Sequence, residues 1–334
     1  KIMANFFDND ERPTATEEVK EEQKEEVQNV QNEEPSEEEE IVNDYGQEES
    51  QTEAATVMKS YGEFNDISVT VSDRKTPIVI LFGPPSCGKT MTLIRLSRFL
   101  KNIQGGSYMV KPIRTFRPSD DKDYDMMCNE FPQMLNSDNA AKGTDKMSFM
   151  LVSVTRNAGE PVCQILEAPG ELYFDPNKPN DDSPRYLNKI QEMPNRKVWV
   201  ILLEPEWKES EDRKNYVDRI KRLKSNISPK DRIIFLGNKV DKANEFIEAQ
   251  GVVNTDKYRE HLSSLDGNGG LYPGLFNLFK ENRPIISWFK PYSCDFVPFM
   301  TGIYTEASQG RKFDEANDKY PARLWKTILK NVGK

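Results

Sequence analysis

Large apolar residues are sparse in the first 65 or so positions and crowd into short blocks after them. Ile78-Val79-Ile80-Leu81-Phe82, Val198 to Leu203 and Ile233-Ile234-Phe235-Leu236-Gly237 are continuous apolar runs of strand length, the pattern of strands covered on both faces. Between them the spacing turns helical. Leu93, Leu96, Leu100 and Ile103, with Ile94 and Phe99 beside them, mark one amphipathic segment, and Tyr216, Val217, Ile220 and Leu223 mark another. Tyr108 to Phe116 reads as a strand, followed by a polar, helix-like insert around Asp123 to Leu135. Met147 to Val154 and Val162 to Leu166 alternate as strands do and flank Asn157-Ala158-Gly159-Glu160-Pro161, which predicts a hairpin. Phe296-Val297-Pro298-Phe299 is the last strand. Asn317 to Asn331 then places Ala322, Leu324, Trp325, Ile328 and Leu329 on a helix face that would close the back of a sheet. Trp288, Phe289 and Tyr292 read as packing residues. Strands alternating with helices predict one three-layer α/β domain, its sheet mostly parallel with one antiparallel hairpin edge.

Charge divides the chain. Residues 1–70 hold 21 acidic and 5 basic side chains and the remainder 34 and 41, so the net −9 belongs to the leading segment and the rest is mildly basic. Its glutamate runs and lack of core-forming residues predict an acidic tail without fixed structure over 1–65. A domain over 66–334, with an insert at about 106–143, follows. Cys87, Cys128, Cys163 and Cys294 show neither a C-x-x-C pair nor zinc spacing and read as buried thiols of a reducing compartment. With one histidine, His261, read as a surface residue, histidine-based catalysis is not expected. No run is long and apolar enough to span a membrane and no secretory leader is visible, which points to the cytoplasm. A modestly basic body without an arginine-rich stretch gives no support to nucleic-acid binding.

The chemistry begins at Gly83-Pro84-Pro85-Ser86-Cys87-Gly88-Lys89-Thr90, directly after an apolar strand and opening a helix. This is the pattern of a phosphate-binding loop in its expected setting. Glycines let backbone N–H groups turn inward onto a polyphosphate, and the helix dipole adds positive charge beneath it. Lys89 would reach the β- and γ-phosphates, and the Thr90 hydroxyl would join the shell of a Mg²⁺, with Met91 next to the loop.

A second motif, Asn238-Lys239-Val240-Asp241, runs straight out of the strand ending at Gly237. A carboxylate at Asp241 can accept from both N1–H and the 2-amino group of guanine, whereas adenine offers no such donor pair on that edge. A site built around it would reject the wrong base by about 10⁴-fold or more, because the carboxylate would be left unpaired.

With these two motifs the chain resembles the Ras-like, translation-factor-related P-loop GTPases over about residues 75–305. The Ala168-Pro169-Gly170-Glu171 wording also resembles, more loosely, bacterial GTPase-like domains of uncharacterised role. The resemblance implies the P-loop NTPase fold, GTP or GDP as ligand and Mg²⁺ as cofactor. It implies that Glu167 and Gly170 stand where the family has Asp-x-x-Gly, the carboxylate serving the metal and the glycine N–H the γ-phosphate. Glu167 is a departure by one methylene. The switch threonine that serves metal and γ-phosphate would be Thr144, with Thr115 as runner-up. Thr301-Gly302 would lie in the loop that contacts the guanine oxygen. Glu171 replaces the glutamine that orients water in many relatives.

Three classes of function follow: a slow GTP-hydrolysing switch served by a protein effector or activator, a nucleotide-binding scaffold with little hydrolysis, or an ATP-using enzyme. Lys89, Thr144 and Glu171 are the candidate catalytic set, and Thr90, Thr144 and Glu167 the candidate metal set. Arg114 or Arg117 would be the source of an internal positive charge for hydrolysis.

Overall fold

The computed structural model describes residues 68–103, 108–136, 149–167, 170, 185–207, 209–248, 253–264, 269–307 and 310–334. The acidic tail, Thr144 and Glu171 lie outside the described residues.

Among the described residues, seven strands form one sheet in the order β2-β3-β4-β1-β5-β6-β7. They are β1 Ile78–Phe82, β2 Tyr108–Pro112, β3 Met150–Arg156, β4 Pro161–Glu167, β5 Lys197–Leu203, β6 Arg232–Gly237 and β7 Asp295–Pro298. β1 pairs in parallel with β4 and β5, β5 with β6, and β6 with β7. β3 runs antiparallel to both β2 and β4. The expected hairpin is therefore β3–β4, and the strand expected around Tyr108 adds an outer edge beyond it. The continuous apolar runs of β1 and β5 are buried throughout, as strands covered on both faces must be.

Seven helices accompany the sheet among the described residues: α1 Lys89–Asn102, α2 Lys122–Met134, α3 Arg185–Glu192, α4 Ser210–Asn226, α5 Thr255–Leu262, α6 Pro284–Phe289 and α7 Lys319–Val332. Side-chain alternation assigns them to layers. Phe82 stacks on Tyr216 of α4 with ring centroids 6.0 Å apart. Tyr108 meets Trp325 of α7 edge-on at 5.1 Å, and the strand registers put Tyr108 on the face of Val79 and Leu81, opposite to Phe82. Helices thus cover both faces, giving the three-layer α/β architecture of a P-loop NTPase. β1 lies where the chain's connections reverse direction, the place such sheets reserve for a ligand. A further two-stranded ribbon, β8 Gly302–Ala307 with β9 Gly310–Glu315, leads into α7.

α1 is tied to that ribbon by charge. Arg95 is 1% exposed and bonds Glu315 at 3.0 Å, Asp318 at 2.5 Å and the Ala316 carbonyl at 2.8 Å. Arg98 bonds Glu315 at 3.0 Å and the Met134 carbonyl at 2.8 Å. A buried guanidinium is tolerable only with such partners.

Several expectations need correction. Trp288 is not a packing residue: it is 87% exposed, and Ile285 beside it is 77% exposed. The bridge between Lys280 and Tyr292 closes an excursion from the fold, and backbone bonds across its neck fix α6 while Ile285 and Trp288 face outward; the side chain of Phe289 lies outside the described residues. Tyr292 does pack, with the Arg259 guanidinium 5.0 Å above its ring. His261 is half-buried rather than a plain surface residue, its ring 4.9 Å from that of Phe246. Gly302 opens β8 instead of lying in a loop. All four cysteines are buried and free, as expected. Among the described residues no helix is long and apolar enough to cross a membrane.

Candidate functional site

The carboxyl ends of β1, β4, β5, β6 and β7 bring together the motifs read from the sequence. The loop from Gly83 to Gly88 joins β1 to α1, and two of its residues take left-handed backbone, Ser86 with φ 59° and Gly88 with φ 92°. Gly88 immediately precedes α1, so the N–H groups of the first turn have no carbonyl of a preceding helical turn to bond. A methyl group at Gly88 would lie 2.6 Å from Asn238 Nδ2. At Gly83 it would lie 2.6 Å from Cys87 Sγ. Glycine is needed at both positions for close approach, and at Gly88 for conformation as well.

Lys89 is 5% exposed, and its ammonium donates to the carbonyls of Gly83 at 3.0 Å and Pro84 at 2.7 Å. The positive charge is thus curled into the loop it serves. Cys87 is buried beneath, and burial pushes its thiol up to about 11 despite the neighbouring Lys89 charge. It stays a neutral thiol at physiological pH, which removes it as a nucleophile.

Thr90 Oγ1 donates to Glu167 Oε1 at 3.0 Å, joining the first turn of α1 to the end of β4. Both residues are buried, at 8% and 3% exposure. A hydroxyl and a carboxylate meeting in this way form a hard oxygen donor pair suited to Mg²⁺, and the longer glutamate arm spans the gap that an aspartate would leave. Among the described residues no group of three or more His, Cys, Asp or Glu gathers as a metal cluster. Gly170 sits against the phosphate loop itself: an added methyl would fall 2.2 Å from the carbonyl carbon of Pro84 and from the nitrogen of Pro85.

The second motif reaches the same loop from β6. Asn238 is 1% exposed, and its Nδ2 donates to the Cys87 carbonyl at 2.7 Å. Lys239 adopts φ 55° and turns its ammonium onto the Ser86 carbonyl at 3.0 Å. Asp241 follows, exposed, in the short 3₁₀ turn Val240–Lys242. The end of β7 lies alongside, since Val240 N–H donates to the Phe299 carbonyl at 3.3 Å and Phe299 N–H to the Gly237 carbonyl at 2.7 Å. Thr301, 9% exposed, comes next in the chain, its carbonyl accepting from Ala316 N–H at 3.2 Å.

The insert arginines are occupied elsewhere. Arg117 is 4% exposed, pairs with Asp121, and lies 5.1 Å over the rings of both Tyr124 and Phe149. Arg114 pairs with Asp125 at 3.3 Å and Asn129 at 2.6 Å. Thr115, between them in sequence, is exposed.

Sequence reasoning missed Glu204. It follows β5 directly, and both carboxylate oxygens lie 2.9 Å from Lys239 Nζ. Burial raises its pKa above the ordinary glutamate value, and the Lys239 charge opposes that rise. The signal was present, since a carboxylate at the carboxyl end of an apolar strand stands at the ligand-bearing edge of such a sheet.

No family model matches the chain, and no curated protein matches it. Among solved structures it is similar to one from Plasmodium falciparum described as a nucleolar GTP-binding protein 1, with 12% identity over 80% of this chain and 92% of that one and a TM-score of 0.36. At that distance the likeness carries nothing about ligand or activity.

Proposed function

We propose that this chain binds guanine nucleotides with Mg²⁺, hydrolyses GTP slowly, and uses the difference between the triphosphate and diphosphate forms as a switch read by a protein partner. The observation that carries the proposal is the pair of hydrogen bonds between the motifs, from Asn238 to the Cys87 carbonyl and from Lys239 to the Ser86 carbonyl. An Asn-Lys-x-Asp turn that was merely a polar loop would have no reason to be fastened to a phosphate loop about 150 residues earlier. Fastened there, it sets a purine-reading carboxylate, Asp241, at a fixed reach from a polyphosphate cradle.

The roles follow from the chemistry. The backbone N–H groups at the start of α1 receive phosphate oxygens, and the Lys89 ammonium exchanges the carbonyls of Gly83 and Pro84 for the β- and γ-phosphates. Asp241 accepts from the guanine edge. Thr90 and Glu167 would hold Mg²⁺, whose charge would offset that of the triphosphate. Gly170, pressed on Pro84 and Pro85, is placed to register what occupies the loop. Slow hydrolysis is supported by the two insert arginines, both committed to carboxylate partners and so not presented to a phosphoryl group.

Titration of the purified full chain with GTP, GDP and ATP in the presence of Mg²⁺ tests the reading. Guanine nucleotides are expected to bind and ATP to bind at least about 100-fold more weakly, with Lys89→Ala abolishing triphosphate binding. Equal binding of ATP, or no binding of GTP, would overturn it. Single-turnover hydrolysis faster than ~1 s⁻¹ without a partner would overturn the slow-hydrolysis part.

A further inference from the structure

Glu204 is a well-buried carboxylate that the nucleotide reading does not use. Its side chain is 12% exposed and that of its partner Lys239 is 33% exposed. One ammonium makes three bonds here: two to the Glu204 carboxylate at 2.9 Å and one to the Ser86 carbonyl at 3.0 Å. The carboxylate therefore determines where Lys239 points, and Lys239 in turn holds the phosphate loop at Ser86, a non-glycine residue with positive φ.

Glu204 is itself braced. Its backbone N–H donates to the Tyr272 hydroxyl at 2.9 Å, that hydroxyl donates back to the Glu204 backbone carbonyl at 3.2 Å, and the Trp207 indole N–H donates to the Tyr272 hydroxyl oxygen at 2.7 Å. One donor and two acceptor sites are all a hydroxyl has, so Tyr272, buried completely, is fully used. These bonds fix the Glu204 backbone where it leaves β5, and from that anchored backbone the side chain reaches Lys239.

We infer that Glu204 is a positioning residue of the nucleotide site, locking the base-reading turn to the phosphate loop through Lys239 before a ligand arrives. The inference rests on the guanine-nucleotide reading above. Ordering two loops in advance removes that cost from binding, and both loops meet the parts that GTP and GDP share. Loss of the lock should thus weaken both nucleotides by the same factor, whereas damage at the metal pair or at Gly170 would discriminate between them.

A pH signature accompanies the lock. Lys239, Lys242 and Lys89 face the carboxylate with positive charge, while Cys87, Tyr216, Tyr258 and Tyr272 surround it as neutral groups. Lys242 is shared with Glu206 at 2.8 Å. With its pKa raised by burial, Glu204 takes up a proton at higher pH than an exposed glutamate would as the solution is acidified. The ionised form holds Lys239, so affinity is highest above that pKa and falls below it.

The test uses fluorescent GDP and GTP analogues with the full chain, wild type and Glu204→Gln, from pH 5 to 8. Glu204→Gln keeps the shape and removes the charge. The expected result is a loss of about tenfold, the same for GDP and GTP, together with disappearance of the acid-side fall due to this carboxylate. Should Glu204→Gln not fold, Glu204→Asp reads the same point: a smaller, again equal loss with the pH dependence retained. Wild-type affinity for both nucleotides, or a loss confined to GTP, overturns the inference. If the wild-type chain itself binds no guanine nucleotide, the function proposed above fails, a result distinct from failure of the lock.

Discussion

Gly88 and Asn238 touch across the site, and a double-mutant cycle between them is predicted to be strongly non-additive. Gly88 holds φ 92°, so Gly88→Ala forces a methyl-bearing residue into left-handed backbone, at about 1–2 kcal/mol. The same methyl would lie 2.6 Å from Asn238 Nδ2, the atom that donates at 2.7 Å to the Cys87 carbonyl. Pushing that amide aside breaks a buried bond, at about 1–3 kcal/mol, for a total of roughly 2–5. Asn238→Ala alone loses the same bond, about 1–3 kcal/mol. In the double variant the bond is already gone and there is nothing to collide with, so the cost stays near that of Gly88→Ala alone. The expected interaction energy is therefore about 1–3 kcal/mol, in the sense of the double variant being less damaged than the sum. Urea unfolding of the nucleotide-free full chain, followed by tryptophan fluorescence and circular dichroism, measures it. Additivity within about 0.5 kcal/mol would refute the contact between the two motifs, and with it the main support for a shared ligand.

Thr90→Ala is expected to weaken GTP binding about tenfold or more with Mg²⁺ present and to have little effect in EDTA, because only the metal-dependent part uses the hydroxyl; titrations in the two buffers decide. Arg117→Ala should destabilise the fold by about 3 kcal/mol, since it strands Asp121 and empties the space between two aromatic rings, while leaving single-turnover hydrolysis of bound GTP unchanged; a lower rate per bound nucleotide would restore Arg117 as a catalytic candidate. The pKa of Asp295 is lowered overall: burial acts to raise it, but bonds from Lys330 and Asn331 outweigh that. Its stabilising contribution is accordingly present above the unfolded value of about 4 and lost as pH falls through the lower folded value. Melting temperatures of Asp295→Asn should lie below wild type at pH 6 and converge with it toward pH 3, and a gap that persists in acid would count against this assignment.

What the sequence made legible was local. The phosphate loop announces itself because strand, glycines, lysine and helix are contiguous, and the buried strands because their apolar runs have no polar face. Asn238 to Asp241 could be read for the same reason. The pairing of Thr90 with Glu167 could be anticipated from resemblance, though not the direct contact that the longer side chain makes. Other features depend on partners remote in the chain. Arg95 and Arg98 sit on a helix whose apolar spacing implies burial, yet the acidic groups that make burial tolerable lie more than 200 residues later. Glu204 acquires its role only when β6 delivers Lys239 beside β5. Trp288 looks like core by composition and becomes surface because a backbone bridge between Lys280 and Tyr292 carries it out of the fold. The β8–β9 ribbon has no apolar alternation to betray it.

The anchoring of α1 by Glu315 and Asp318 bears on biosynthesis. A ribosome makes Arg95 and Arg98 long before it makes the carboxylates that neutralise them. Until residue 318 has emerged, the nascent chain must either keep this helix hydrated, away from the sheet, or bury two uncompensated cations. Completion of the pocket is thereby deferred until residue 318 has been made, and a polypeptide stalled before that point would have its signature motifs but no finished pocket.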